Sequence, residues 1–302
     1  PDFRLKEIKE FVSSGLQDFS ISRLKKKLPW GVEVPDDPDH VMYVWFDALV
    51  CYISTLGWPE DEEKFNAFWP VVQMAGKDNL RQQSAMWQAM LMSAGLPNSK
   101  QIIIHGFITN AGQKMSKSLG NVINPFELVK KYGTDAVRFF IAHELNTFED
   151  SDVTLERIHE SYNAYLANGL GNTVSRLAKL AETSKIIFEE KPLKKIYSEE
   201  EAGAIADFEF NIVLHNILVV GLQVIDQRIN QEAPWTIKDQ YRLKTVLQDC
   251  INDLRELAAK LQPFLPETAE KILKQFSGKV SKASFSRDAR KIKSEAPLFP
   301  RI

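Results

Sequence analysis

Cysteine is scarce in this chain. Its 302 residues contain two, Cys51 and Cys250, far apart and each in apolar surroundings. Both read as buried free thiols of a reducing compartment, and the expected location is cytoplasmic. Histidine is scarce too: His40, His105, His143, His159 and His215 form no pair at metal-ligand spacing. With no Cys-x-x-Cys either, no zinc site is encoded and no protein-bound metal is expected. No apolar run approaches the roughly 20 residues that span a bilayer, so no membrane contact is expected. The opening PDFRLKEIKEFVSSGL is charged and amphipathic, unlike a signal peptide; it lacks an initiating Met and reads as a cut end. Net charge is also nearly absent, at −2, so a nucleic-acid partner has to meet a local basic patch. Lys25, Lys26 and Lys27 form one basic cluster, read either as such a patch or as an ordinary solvated turn. Internal repeats and low-complexity segments are missing. What is present, 44% hydrophobic and 26% charged residues, describes a globular protein of one large or two ordinary domains.

The spacing of Phe3, Ile8, Phe11 and Val12 predicts a helix over 2–14. LPWGVEVPDDPDH (28–40) reads as loop and turn. HVMYVWFDAL (40–49), β-branched and aromatic, predicts a buried strand. VVQMAGKDN (71–79) predicts a short strand ending at Gly76. LRQQSAMWQAMLMSAG (80–95) predicts a helix stopped by Gly95 and Pro97. QIIIHGFIT (101–109) predicts a third strand. Strand, helix, strand suggests part of a parallel α/β sheet, whose ligands sit at the carboxyl ends of strands. Gly76-Lys77-Asp78 and the loop at 111–120 both follow strands, so both are expected at that edge.

Beyond residue 150 the period changes. Leu155, Ile158, Tyr162, Leu166, Leu170, Val174 and Leu177 recur every three or four residues. So do Leu243, Leu247, Cys250, Leu254, Leu257 and Leu261. Residues 203–229 are apolar around much of the circumference, which belongs in the middle of a bundle. Four or five helices are predicted from about 154 to 277. In the tail 278–302, Phe299 between two prolines predicts an extended strap against the body.

The loop AGQKMSKSLGN (111–121) puts Lys114 and Lys117 three residues apart among Gly112, Ser116, Ser118 and Gly120. A basic Gly/Ser loop alone is usually just surface. The ordered Lys-Met-Ser-Lys-Ser match after a buried strand is more specific. It resembles the second signature of the class I aminoacyl-tRNA synthetases. The wider sequence resembles the methionyl-tRNA synthetase family through SISR (20–23), WGVEVPDDP (30–38), HVMYVWFDAL, AGKD (75–78), IIHGFIT (103–109), GNVINPFELVKKYGTDAVRFF (120–140), LANGLGN (166–172), EAPW (232–235) and PLFPRI.

That resemblance implies the fold: the second half of a Rossmann-like nucleotide-binding parallel sheet, then an anticodon-binding helical bundle. The implied divisions are 1–110 for the catalytic half, 111–153 for the KMSKS loop and stem-contact region, 154–277 for the bundle and 278–302 for the strap. It implies ATP-dependent activation of methionine and transfer to tRNA, with Mg²⁺ accompanying ATP as substrate. Lys117, Lys114 and Arg23 are the implied catalytic residues. Lysines on a mobile loop stabilise the charge of departing pyrophosphate. ATP binding falls to Lys117, Ser116, His105, Gly106, Asp78 and Glu33. The methionine pocket falls to Trp45, Ala48, Leu49, Tyr52 and Gln83, since a thioether wants aromatic and small apolar walls with one polar handle. Asn79, Gln82 and Gln83 depart from the family pattern of an Ile and an aromatic-His pair. Asn172, Arg176 and Trp235 match the residues that read a CAU anticodon, being the groups that bond to and stack on splayed bases.

No His-x-Gly-His motif is present, and by the family's order residue 1 falls after it. The chain is therefore expected to be a carboxyl-terminal portion, inactive alone, partnered by tRNA, methionine, ATP and a missing amino-terminal half. A monomer is expected, with no further tRNA-binding or dimerisation module after PLFPRI. The alternative is a non-catalytic tRNA-binding half-synthetase or one subunit of a split enzyme.

Overall fold

The computed structural model describes residues 1–189, 191–193, 197–277 and 292–302, with Lys117 described by its backbone alone. The chain divides into two units, Pro1–Phe107 and Ile108–Ile302.

The first unit is α/β. Helix α1 (Asp2–Ser13) precedes three short strands, β1 (Ser22–Leu24), β2 (Glu33–Val34) and β3 (Asp37–Met42). These form an antiparallel sheet in the order β1-β3-β2, with Ser22 opposite Met42 and Arg23 opposite Val41. The aromatic run at 40–49 is only partly strand. It turns at Tyr43 into helix α2 (Val44–Ala48) and then α3 (Cys51–Ser54). Unbroken apolarity does not distinguish a strand from a half-buried helix, and here the second part is helical. Cys51, expected buried, lies on the outward side of α3 and is exposed.

Helix α4 (Glu62–Phe68) starts at Asp61, whose carboxylate accepts from the Lys64 N–H at 3.0 Å. β4 (Val72–Gly76) pairs in parallel with β5 (Gln101–His105), Gly76 opposite His105. Between them the chain is helical: a 3₁₀ turn at Lys77–Asn79, a π-helical turn at Gln82–Met86, and α5 (Trp87–Ser93). The parallel strand–helix–strand reading of 71–105 therefore holds. The strand predicted over 101–109 is instead two pieces, interrupted at Gly106-Phe107.

The apolar interior of this unit is divided. Leu49, Ile53, Phe65, Trp69, Trp87 and Leu91 make one cluster; Ala75, Leu80 and Ile104 make another, against Ile8 of α1. Aromatic contacts bind the first: Trp69 stacks on Phe65 at 5.9 Å and meets Trp87 edge-on at 6.3 Å.

The second unit opens with a small sheet. β6 (Ile108–Asn110) pairs antiparallel with β7 (Gln113–Lys114) and parallel with β8 (Ser151–Asp152). The β6–β7 turn uses two consecutive left-handed residues, Ala111 at φ 52° and Gly112 at φ 73°. Helices α6 (Pro125–Tyr132) and α7 (Thr134–Phe139) follow, α7 running on as a π-helical turn through Phe140–Glu144.

The rest is a helical bundle. α8 (Leu155–Ser161) and α9 (Asn172–Ser184) are one continuous rod joined by a π-helical stretch at Tyr162–Gly171. α10 (Glu199–Ala206) carries a full capping box between Ser198 and Glu201. α11 (Phe210–His215) and α12 (Leu222–Glu232) are again joined by a π-helical turn, Asn216–Gly221. α13 (Gln240–Leu261) and α14 (Pro266–Gln275) complete it. The stripes read from the sequence face inward, with Leu166, Leu170, Leu177, Val213, Leu214, Ile229, Leu247 and Leu254 all fully buried, except at Leu155, which opens α8 and is exposed. Among the described residues one helix is long and apolar enough to cross a membrane, contrary to the reading of run lengths. It is Phe210–Thr236, with mean hydropathy 1.3 and 39% of its most apolar window buried. Its apolarity is accounted for by the bundle core, which holds Val213, Ile217, Leu222, Ile225 and Ile229.

Two polar ties join α7 to the turn before α14. Buried Asp135 accepts from the Thr268 N–H at 2.6 Å, capping α14, and Arg138 donates to the carbonyls of Phe264 and Pro263 at 2.7 Å each. Residues 278–291 of the predicted strap lie outside the described residues. In the described end, Phe299 is buried edge-on to Tyr162 at 6.0 Å, and the Tyr162 hydroxyl donates to the Pro300 carbonyl at 2.8 Å.

Candidate functional site

The residues singled out from sequence fall into three constellations. In the first unit, Asp78 and His105 stand at the carboxyl ends of paired parallel strands. Gly76 lies between them: a Cβ there would come within 2.9 Å of Asp78 Oδ1 and 3.7 Å of His105 Cε1. A side chain at 76 would displace the Asp78 carboxylate, so glycine is the residue that lets the two groups converge. His105 Nδ1 lies 2.8 Å from the Gly106 carbonyl, and Gly106 is buried. A carboxylate and an imidazole at a parallel sheet edge suit ribose hydroxyls and a purine edge. On the antiparallel sheet, Arg23 is held by the carbonyls of Ser20 and Ser22 at 2.9 and 2.8 Å and lies 4.2 Å over the Tyr43 ring. Glu33 pairs with Lys25, which holds its carboxyl below the usual range chiefly through the side-chain hydrogen bond. That pairing also takes one lysine out of the basic cluster at 25–27.

The aromatic constellation lies on α2, α3 and the helix after Asp78. Trp45 and Tyr52 are half-buried, Ala48 is exposed, and Leu49 is packed in the core. Tyr52 sits 6.1 Å from Trp87. Gln83, 2% exposed, donates from Nε2 to the Tyr52 hydroxyl oxygen at 3.0 Å. Because that oxygen accepts, the Tyr52 O–H proton is free to point at a different acceptor. Gln83 Oε1 and Trp87 Nε1 are both buried without hydrogen-bond partners. The π-helical turn widens the helix where these side chains leave it; such bulges are frequent at functional sites. A polar chain runs on inward: Gln88 Nε2 donates to the Gln83 carbonyl at 3.0 Å and to Ser99 Oγ at 3.1 Å.

In the second unit, the basic loop is anchored at both ends by residues the sequence reading missed. Asp152 accepts from the Gly112 N–H and the Thr109 hydroxyl, each at 2.8 Å, and these bonds hold its pKa below the usual range. Asn121 Oδ1 accepts from the Ser116 N–H at 2.8 Å. Ser116 and Ser118 hydroxyls are 2.6 Å apart. Lys114 ends β7, and the backbone of Lys117 begins a 3₁₀ turn through Leu119; the Lys117 side chain lies outside what is described. Asn121 was visible in the SLGNVINP continuation; Asp152 had no local signal.

The bundle constellation is on α9, α12 and the 3₁₀ turn Pro234–Thr236. Arg176 lies 5.6 Å over the Trp235 ring and donates to Asn230 Oδ1 at 2.7 Å. Trp235 is 60% exposed, a large indole face open to solvent. Asn172, four residues before Arg176, is exposed. Beneath them Thr173 donates to Asp226 Oδ2 at 3.0 Å, and Asp226 Oδ1 is buried without a partner. Asn230 and Asp226 were also missed; their i, i+4 spacing on α12 was the available signal. Among the described residues, no three His, Cys, Asp or Glu side chains group as metal ligands.

The family model described as tRNA synthetases class I (M) matches residues 2–178. The chain belongs to that family. Among the class I synthetases it is similar to the methionine–tRNA ligase of Rhizobium meliloti (strain 1021), 37% identical over all of this chain and 63% of the relative. The Nostoc sp. ligase is 38% identical over 91% of this chain and 55% of its own length. A solved structure of Mycobacterium tuberculosis methionyl-tRNA synthetase bound by methionyl-adenylate superposes with a TM-score of 0.86 at 32% identity, over 99% of this chain and 64% of that one. The chain thus spans less than two thirds of the length of these synthetases.

Proposed function

We propose that the protein acts in methionine–tRNA ligation: methionine is activated by MgATP with release of pyrophosphate, then transferred to tRNA. The 302 residues carry the anticodon reader and part of the activation site. The observation that carries this reading is the bundle constellation. An exposed indole, a guanidinium over its face and an amide fixing that guanidinium suit an unstacked base, which stacks on Trp235 and is bonded by Arg176 and Asn172. The proposed ligand is a tRNA with a CAU anticodon.

For activation, Tyr52 donates its hydroxyl proton to the methionine sulfur, oriented by Gln83, with Trp45 and Ala48 as walls. A Gln in that place keeps one donor and does not titrate. Asp78, His105, Gly106, Glu33 and Arg23 serve ATP, and Lys114, Ser116 and Lys117 meet its phosphates. Positioning and electrostatic stabilisation suffice, since no covalent nucleophile is needed. The relatives' greater length supports a further reading, that this chain alone does not activate methionine.

Two assays test this. Gel-shift titration should give binding of a CAU-anticodon tRNA that weakens with Trp235→Ala; equal affinity for both proteins contradicts the anticodon assignment. ATP–pyrophosphate exchange by the isolated chain should be absent; exchange at the rate of a full-length synthetase contradicts the inactivity.

A further inference from the structure

The π-helical turn Gln82–Met86 and the residue after it collect three buried polar atoms without a hydrogen-bond partner among the described residues: Gln82 Oε1, Gln83 Oε1 and Trp87 Nε1. Buried polar groups are ordinarily paired, so such a concentration needs a reason. Careless local packing is not the reason, because the neighbouring Gln88 is satisfied at both ends. Its Nε2 donates to the Gln83 carbonyl and to Ser99 Oγ, and its Oε1 accepts from the Ser99 N–H at 3.1 Å and from Asn98 Nδ2 at 3.0 Å. Gln83 and Trp87 are 2% and 1% exposed, whereas Tyr52 and Trp45 are half-buried, so a ligand meets the pair from the side of those two rings.

Two donors go unused here. Gln83 Nε2 donates to the Tyr52 oxygen, which leaves the Tyr52 O–H and the Trp87 N–H without acceptors. Turning the amide over makes Tyr52 the donor to Gln83 Oε1 and leaves the N–H groups of Gln83 and Trp87 instead. Either way two donors stand where the Tyr52 and Trp87 rings are 6.1 Å apart. A thioether sulfur is a weak acceptor and answers neither well. A sulfoxide oxygen is a strong acceptor able to take both, on a side chain that otherwise keeps the length of methionine.

We propose that this pocket takes methionine sulfoxide as well as methionine, with the sulfoxide oxygen accepting from two donors among Tyr52, Gln83 and Trp87. The better fit is the side chain that ends in the stronger acceptor. This rests on the amino-acid pocket proposed above and names the oxidation state it favours.

Calorimetric titration of the full chain with L-methionine, L-methionine sulfoxide and L-norleucine tests it. The sulfoxide should bind at least as tightly as methionine, and about ten-fold or more tighter than norleucine, which has no acceptor. Trp87→Phe and Gln83→Leu should each lower the ratio of sulfoxide to methionine affinity about ten-fold, with helical circular dichroism as the control for folding. Methionine bound more tightly than the sulfoxide overturns the proposal and leaves the methionine reading standing. Binding of neither overturns both. A sulfoxide preference untouched by both substitutions also overturns the proposal, since the oxygen would then lie elsewhere.

Discussion

The two units solve the same problem unequally. In the bundle a single apolar cluster runs from Tyr132 to Phe299 and takes in most of the stripe residues read from the sequence, though not Leu155, which is exposed. In the first unit the interior is split into separate clusters, and Trp30 stands 70% exposed. The difference follows from topology. A helix satisfies its own backbone and needs only a neighbour for its apolar face. A strand needs a partner strand for its backbone groups, a parallel sheet is ordinarily covered on both faces, and both come from distant chain. The bundle is therefore covered by its own helices, whereas among the described residues the first unit pairs β4 on one side alone.

The sharpest way to break this comparison is a cavity in the bundle. Leu247 is fully buried on α13. Leu247→Ala should cost about 2–5 kcal/mol of the second unit's stability, read by urea unfolding of helical circular dichroism. A loss below about 1 kcal/mol would mean that the core is not continuous.

Next comes an alkaline limb. Burial, the largest cause, raises the Cys250 thiol from 9.0 to about 11, with Arg228 opposing. A folded pKa above the unfolded one gives stability that is fully present below pH 9 and lost as pH rises toward 11. The slope is about 1.4 kcal/mol per pH unit within that window. Unfolding of the second unit should weaken over pH 9–11, and Cys250→Ala should flatten that limb. In the native protein a thiol reagent should label Cys51 and spare Cys250.

Smaller effects belong to the surface. Trp235→Ala should weaken CAU-tRNA binding by about 1–3 kcal/mol, the usual worth of a base stack. Asn230→Ala should cost about 1 kcal/mol by releasing Arg176, at unchanged thermal stability. Smallest is Met74→Ala. In the chain by itself it should change stability by less than about 0.5 kcal/mol, because half of the side chain is already in water.

Much of this was legible in the sequence, for physical reasons that differ by region. Helical stripes at Leu166–Leu177 and Leu243–Leu261 declare their buried side through spacing alone. The end of β4 was marked by Gly76 and the helix stop by Gly95 and Pro97. The aromatic run at 40–49 misled, because its bend at Tyr43 is set by tertiary packing and leaves no periodicity over so few residues. Cys51 misled for the same reason, its side being decided by the direction of α3. At the sites, motif residues announced themselves, but their anchors did not. Asp152 reaches Gly112 across 40 residues of chain. Asn230 reaches Arg176 across 54 residues. No local pattern encodes contacts of that range.

Native-state hydrogen exchange on the intact chain tests the central contrast most directly. The account predicts that amides of β4 and β5 exchange at least a hundred-fold faster than those of α9 and α13, about 2.7 kcal/mol less protection. Equal protection in both units would contradict it, since the sheet unit would then be as complete as the bundle.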